Sequence, residues 1–202
     1  QFLRKSIPVQ KVSKVTFPAK IITDKPYFAY RGAHLDSARH FFSAESVRIY
    51  IDMLALHNIN KFHWHLTDDQ GWRFESKKYP ELTVVGSKRS QTMIAKEWEK
   101  FDGKPHSGFY TQQEMKELVK YAADRNITII PEIDLPGHMV AVLATYPKLG
   151  CTGGPYKVRE TWGVAEDVLC AGNDETHDFI KNILEEVTEI FPSEYIHIGG
   201  DE

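Results

Sequence analysis

The stretch Ile127-Thr128-Ile129-Ile130-Pro131-Glu132-Ile133-Asp134-Leu135-Pro136-Gly137-His138 decides the fold. Residues 127–133 form a short, nearly all-apolar run, the pattern of a strand covered on both faces and so of a parallel sheet. Leu135-Pro136-Gly137 stops the run and leaves Asp134 and His138 at its C-terminal end. Before it, Thr111-Gln112-Gln113-Glu114 is a capping box. Met115, Leu118, Val119 and Ala122 then recur as a helical stripe that ends at Arg125-Asn126. After it come a short helix over 138–145, a long Gly-rich loop over 146–173, and a helix over 174–190. That last helix carries Phe179, Ile183, Leu184, Val187 and Ile190 on one side. Tyr195-Ile196-His197-Ile198 reads as a strand, and Gly199-Gly200-Asp201-Glu202 releases the backbone from it.

The same unit recurs upstream. Tyr27 to Leu35 reads as a first strand, with Asp36 and Arg39 at its end. Ser43 or Ala44 caps a helix with Val47, Ile51, Leu54 and Leu56 at helical spacing. Ile59 to Leu66 is the next strand, and Thr67-Asp68-Asp69-Gln70-Gly71-Trp72 reads as the loop after it. Residues 73–110 are irregular and too long for a bare connection, so they read as a functional insertion. Residues 1–26 alternate basic and apolar side chains, with Val12, Val15 and Phe17 as a possible short strand. They read as a lead-in or linker, or the tail of a preceding domain.

The order β-α-β-α-β-α-β implies right-handed crossovers and one parallel sheet. Each strand ends in a polar cluster: Asp36/Arg39, Asp68/Asp69, Asp134/His138 and Asp201/Glu202. Polar clusters on one edge of a parallel sheet converge on one face. This is the pattern of the first four units of an α/β chain of the (β/α)8 TIM-barrel class. A doubly wound sheet is the alternative, but it would more usually carry a Gly-rich phosphate turn after its first strand, and none is present.

Composition bounds the function. The chain has 202 residues and a net charge of −3 from 25 basic and 28 acidic side chains. That balance points away from nucleic acid and from an anionic membrane surface. No apolar run approaches the roughly 20 residues of a membrane span. The chain starts at Gln1 rather than Met, which implies a cleaved or trimmed N-terminus. Cys151 and Cys170 fit no common zinc spacing; a disulfide pinning their loop and a pair of reduced thiols both remain open.

Asp201 and Glu202 are adjacent carboxylates. Such a pair repels, so one member tends to hold a proton at neutral pH and can serve as an acid. A solvated acidic loop is the competing reading. His63 and His65, at i and i+2, point to one face of their strand. They read as interior histidines satisfied by hydrogen bonds, or as two ligands of a metal-dependent barrel hydrolase that also uses His138 and an acidic residue. Trp64 would face the helices. Trp72 and Trp162 could stack on a sugar or fill the core.

Four stretches taken together resemble the catalytic domain of family 20 glycoside hydrolases, the β-N-acetylhexosaminidases. They are Arg31-Gly32 with Leu35-Asp36-Ser37-Ala38-Arg39-His40, His63 through Arg73, Pro131 through His138, and His197 through Glu202. The resemblance runs from about Tyr27 to the end. It implies substrate-assisted hydrolysis of terminal N-acetylhexosamine with retained configuration, an exception to the usual two-carboxylate scheme. Glu202 then matches the general acid and later base, and Asp201 the carboxylate that orients the substrate's 2-acetamido group. Arg39 matches the arginine that binds the sugar's 3- and 4-hydroxyls, and Asp68 a carboxylate that helps hold the site. Asp134 and His138 match a supporting pair beside the acid. His63, His65 and His197 are weaker matches. The resemblance implies no metal and no cofactor, N-acetylhexosamine-containing glycans as partners, and export to a periplasmic, cell-surface or secreted location.

Family members carry four further strands, with aromatic residues that enclose the sugar. The expectation is therefore that these 202 residues alone are inactive. They would either associate through exposed half-barrel edges, form a non-catalytic carbohydrate-binding piece, or belong to a longer enzyme. Gly-Gly-Asp-Glu also matches the diguanylate cyclase signature in letters. There it sits on a hairpin and is followed by phenylalanine, whereas here it closes a strand after a helix.

Overall fold

The computed structural model describes residues 13–17, 19, 21, 23–95 and 97–201. Glu202 and most of the lead-in, Val12 included, lie outside the described residues, and residues 13–17 form no strand. The chain builds β1 (Gly32–Asp36), α1 (Ala44–Leu56), β2 (Lys61–His65), β3 (Thr67–Asp68), β4 (Gly71–Trp72), β5 (Lys88–Arg89), β6 (His106–Ser107), α2 (Gln112–Ala123), β7 (Thr128–Glu132), α3 (Val140–Thr145) and α4 (Asp174–Ile190).

β1, β2 and β7 form one parallel sheet in that order. Each new strand joins the free side of the last, with no reversal of direction across the sheet. Three strands in that order can open either a barrel or a doubly wound sheet; in a barrel the fourth joins the free side of β7. The segment before the terminal Gly-Gly joins next. His197 N donates to Pro131 O at 2.9 Å, and His197 O accepts from Ile133 N at 3.1 Å. The pairing reaches Ile198, whose carbonyl accepts from Leu135 N, and it stays a bridge rather than a full strand.

The first strand is shorter than the sequence suggests. Tyr27 is 93% exposed, and β1 starts only at Gly32. Arg31 is the reason: its guanidinium turns back onto the carbonyls of Phe28, Ala29 and Asn58, which fixes a turn where aromatic content alone predicted extended chain. The predicted loop over 67–72 is in fact the tight hairpin β3–β4, pairing Thr67 with Trp72 and Asp68 with Gly71.

The helices follow their sequence signals closely. Ser43 Oγ accepts from Ser46 N to cap α1, and the Thr111–Glu114 capping box opens α2. Asn173 caps α4. The buried stripe of α1 is Val47, Ile51, Leu54 and Ala55, while Leu56 is 51% exposed. That shift by one residue is what a period of 3.6 requires after Leu54. α4 buries Glu186 as well as its apolar face. The carboxylate accepts from Ser76 Oγ and from Lys77 N, and so seats the start of the 73–110 insertion on the helix.

Strand alternation then sorts the side chains. Ala33, Phe62 and Ile129 lie in register, as do Leu35, Trp64 and Pro131. Phe62 and Trp64 are fully buried in the core, where Trp64 meets Tyr110 and Phe191. The opposite face receives His34, His63 and Ile130 in one row and Asp36, His65 and Glu132 in the next. A row of two acids and a histidine at the C-terminal edge is the floor of the site.

Candidate active site

Four strand ends meet above that row. Asp36 caps its own turn, with Oδ1 accepting from Ala38 N and Arg39 N. Its Oδ2 pairs with Arg39 Nη1 at 3.0 Å, and Arg39 Nη2 pairs with Asp68 Oδ2 at 2.9 Å. Two carboxylates thus hold the guanidinium flat while its side chain stays partly open to solvent.

Asp68 is the junction. The β3–β4 hairpin buries it fully, and Asp69 N donates to its Oδ1 at 2.7 Å. His65 Nε2 lies 2.7 Å from Oδ2, and His138 Nδ1 lies 3.2 Å from Oδ1. Burial works to raise its pKa, but hydrogen bonds from His138 and His65, with the Arg39 charge, outweigh it and hold the carboxyl at about 2. The same contacts act in reverse on the histidines. Against the cost of burial, Asp68 and Glu132 push His65 up to about 10. The hydrogen bond to Asp68 leads the rise of His138 to about 9.

Asp134 lies beside this network, and its amide donates to Thr67 Oγ1 at 3.1 Å. Burial first, and then the Asp201 charge, push its carboxyl up to about 6. Asp201 is exposed, and its Oδ2 lies 4.0 Å from His138 Nε2. Gly199 makes this approach possible. It sits at φ 66°, and a Cβ there would fall 1.6 Å from Asp134 Oδ1.

The structure therefore brings together Arg39, Asp68, Asp134, His138 and Asp201, while Glu202 is outside the described residues. His138 sits at φ 54° just ahead of α3, so it is a turn residue aimed at Asp68 and not the first residue of a helix. His63 and His65 both reach Glu132 Oε2, at 2.6 and 2.7 Å, and His197 reaches Oε1 at 3.1 Å. This is the hydrogen-bonded interior reading of the two histidines. Side chains close enough to surround a metal include His65, Asp68 and Asp134, and of these His65 and Asp68 are already paired with each other. Trp72 is fully buried core, and Trp162 is partly exposed. Cys151 and Cys170 form a disulfide.

Sequence reasoning assigned no role to Glu132 or Arg159, and it placed Asp69 only in the strand-end pair with Asp68. Glu132 ties three histidines together, and its carboxyl lies well below the usual range: burial opposes this, but His63 and His65 prevail. A lone acid inside an otherwise apolar strand was the available signal. Asp69 joins three parts of the chain. It accepts from Val140 N at 3.1 Å and pairs with Arg159 at 3.2 Å, tying the hairpin to α3 and to the cystine loop.

A family model described as glycosyl hydrolase family 20, catalytic domain, matches residues 28–202. The chain belongs to that family. Among family 20 relatives, it is 50% identical over 188 residues to a beta-hexosaminidase of Porphyromonas gingivalis, covering 93% of this chain and 23% of that protein. It is similar to a crystal structure of a beta-N-acetylhexosaminidase at TM-score 0.84 and 44% identity, covering 90% of this chain and 37% of that one. It is also similar to a variant Streptomyces plicatus beta-hexosaminidase in complex with its product GlcNAc. That match has a TM-score of 0.78 and 41% identity, covering 89% of this chain and 34% of that one. The chain thus spans 23% to 37% of the length of these relatives. Solved family 20 catalytic domains are TIM barrels, and the sequential parallel sheet here is consistent with part of one. Among the described residues, no helix is long and apolar enough to cross a membrane.

Proposed function

We propose that the chain is the first four β/α units of a retaining exo-β-N-acetylhexosaminidase that works through its substrate's 2-acetamido group. The observation that carries this reading is the joined network at the strand ends, in which Asp68 links Arg39 to His138, and His138 reaches toward Asp201. Arg39 presents a forked donor to a sugar diol, held by two carboxylates that leave one side open. Asp201, at the rim, receives the N–H of the acetamido group and aims its carbonyl oxygen at the anomeric carbon.

In the first step the acetamido oxygen bonds to the anomeric carbon as the glycosidic C–O bond breaks. Glu202 gives its proton to the departing oxygen. The ring that forms carries positive charge, and the Asp201 carboxylate stabilises it. In the second step Glu202 takes a proton from water. The water oxygen bonds to the anomeric carbon and the acetamido oxygen leaves. Two displacements at one carbon retain its configuration. Asp134, whose carboxyl burial and the Asp201 charge raise to about 6, takes up a proton as pH falls through that value and so limits the repulsion that two full charges create there.

The substrates on this reading are glycans ending in N-acetylhexosamine. Residues 1–26 lead into the barrel, and the enzyme is exported. The 202-residue segment by itself does not turn over substrate, because the open edges of the sheet leave the pocket half walled and free to associate. The test is release of nitrophenol from 4-nitrophenyl N-acetyl-β-glucosaminide by the full-length enzyme. Glu202→Gln should lower kcat by on the order of a hundredfold or more. Near-wild-type turnover in that variant would rule the assignment out.

A further inference from the structure

We propose that Arg73 and His106 are positioning residues for sugar binding: they grip the backbone on both sides of Arg39 and so set where its guanidinium meets the non-reducing sugar. The inference rests on the functional reading above and assigns a task to the 73–110 insertion. Arg73 is fully buried. Its Nη2 donates to Ala38 O at 2.8 Å, and its Nε is shared between Ser37 O and Ala38 O at 3.2 and 3.1 Å. Its Nη1 donates to Ser87 O at 2.8 Å and Gly108 O at 3.0 Å. One rigid fork therefore ties the residues just before Arg39 to two points of the insertion. A lysine could not reproduce that pattern of donors.

His106 grips the other side. Phe41 N donates to His106 Nε2 at 2.9 Å, and the ring lies 4.3 Å, centroid to centroid, from that of His40. Nε2 must keep its lone pair to accept this bond, so the ring must be neutral. Burial, with Arg89, Arg73 and His40 nearby, pushes its pKa down to about 4 and keeps it so. Tyr110 extends the grip by donating to Phe42 O at 2.5 Å. Gly108 lets Phe41 lie against the insertion, since a Cβ there would come 2.2 Å from its ring. Neither Arg73 nor His106 hydrogen-bonds the Arg39 guanidinium, whose own partners are Asp36 and Asp68. Their influence passes through residues 37–42.

The test uses the full-length enzyme and the nitrophenyl glucosaminide. His106→Ala should raise KM roughly tenfold and change kcat by less than about twofold. His106→Gln, whose amide oxygen can accept the same N–H, should restore most of the loss. In an Arg39→Ala background, His106→Ala should change kcat/KM by less than about twofold, because the residue through which it acts is gone. Arg73→Lys should raise KM in the same Arg39-dependent way. An unchanged KM in His106→Ala, or an equal loss with and without Arg39, would overturn the proposal. A wild-type enzyme inert toward the glucosaminide would instead count against the functional reading.

Discussion

Asp68 shows how one buried charge can organise a site. A lone carboxylate without water is costly, and four donors offset that cost: Arg39, His65, His138 and the Asp69 amide. The linkage has a definite sign. The carboxyl falls from 3.8 to about 2 on folding, so its contribution is complete above pH 3.8 and is lost as pH falls toward 2. His138 rises from 6.5 to about 9, so its share is complete below 6.5 and is lost as pH rises through 9. The stability gap between wild type and Asp68→Asn should therefore be widest from about pH 4 to 6.5 and narrow on both sides. Urea unfolding across pH measures it, and a gap that ignores pH would contradict this account. Asp68 was legible from the sequence as a strand-end acid. That it joins Arg39 to His138 was less so, because those two side chains come near it only through pairing between strands far apart in sequence.

At the scale of elements, the local rules worked where the signal was local. The Thr111–Glu114 box and the Asn173 cap place α2 and α4 as the sequence implies. The alternation in β2 sends Phe62 and Trp64 to the helices and His63 and His65 to the interior. The misses have equally physical causes. Arg31 satisfies carbonyls in a turn that aromatic residues had disguised as strand. The hairpin over 67–72 needed a pairing that composition does not announce. The burial of Arg73 follows from backbone carbonyls at 37, 38, 87 and 108, which no local pattern brings together. Thr111→Ala removes one side of the capping box and should cost about 1 kcal/mol of stability, read by chemical denaturation. No measurable loss would mean that packing alone holds the first turn of α2.

At the scale of the molecule, three parallel strands in sequential order and a fourth segment bridged to them bring four polar ends to one edge. This convergence was legible from the order of elements and from the clusters that close each strand. The joining of those clusters through Asp68 and Glu132 was not, because it depends on register across the sheet. The central claim is that the substrate's own acetamido oxygen is the nucleophile and that the carboxylates at this edge serve it. Successive fluorination of the acetyl group weakens that oxygen while leaving the leaving group untouched. The most direct measurement is kcat/KM of the full-length enzyme on nitrophenyl glucosaminides bearing N-acetyl, N-fluoroacetyl, N-difluoroacetyl and N-trifluoroacetyl groups. The account predicts a steep, monotonic fall along the series. A flat series would contradict it and place the nucleophile on the protein or on water.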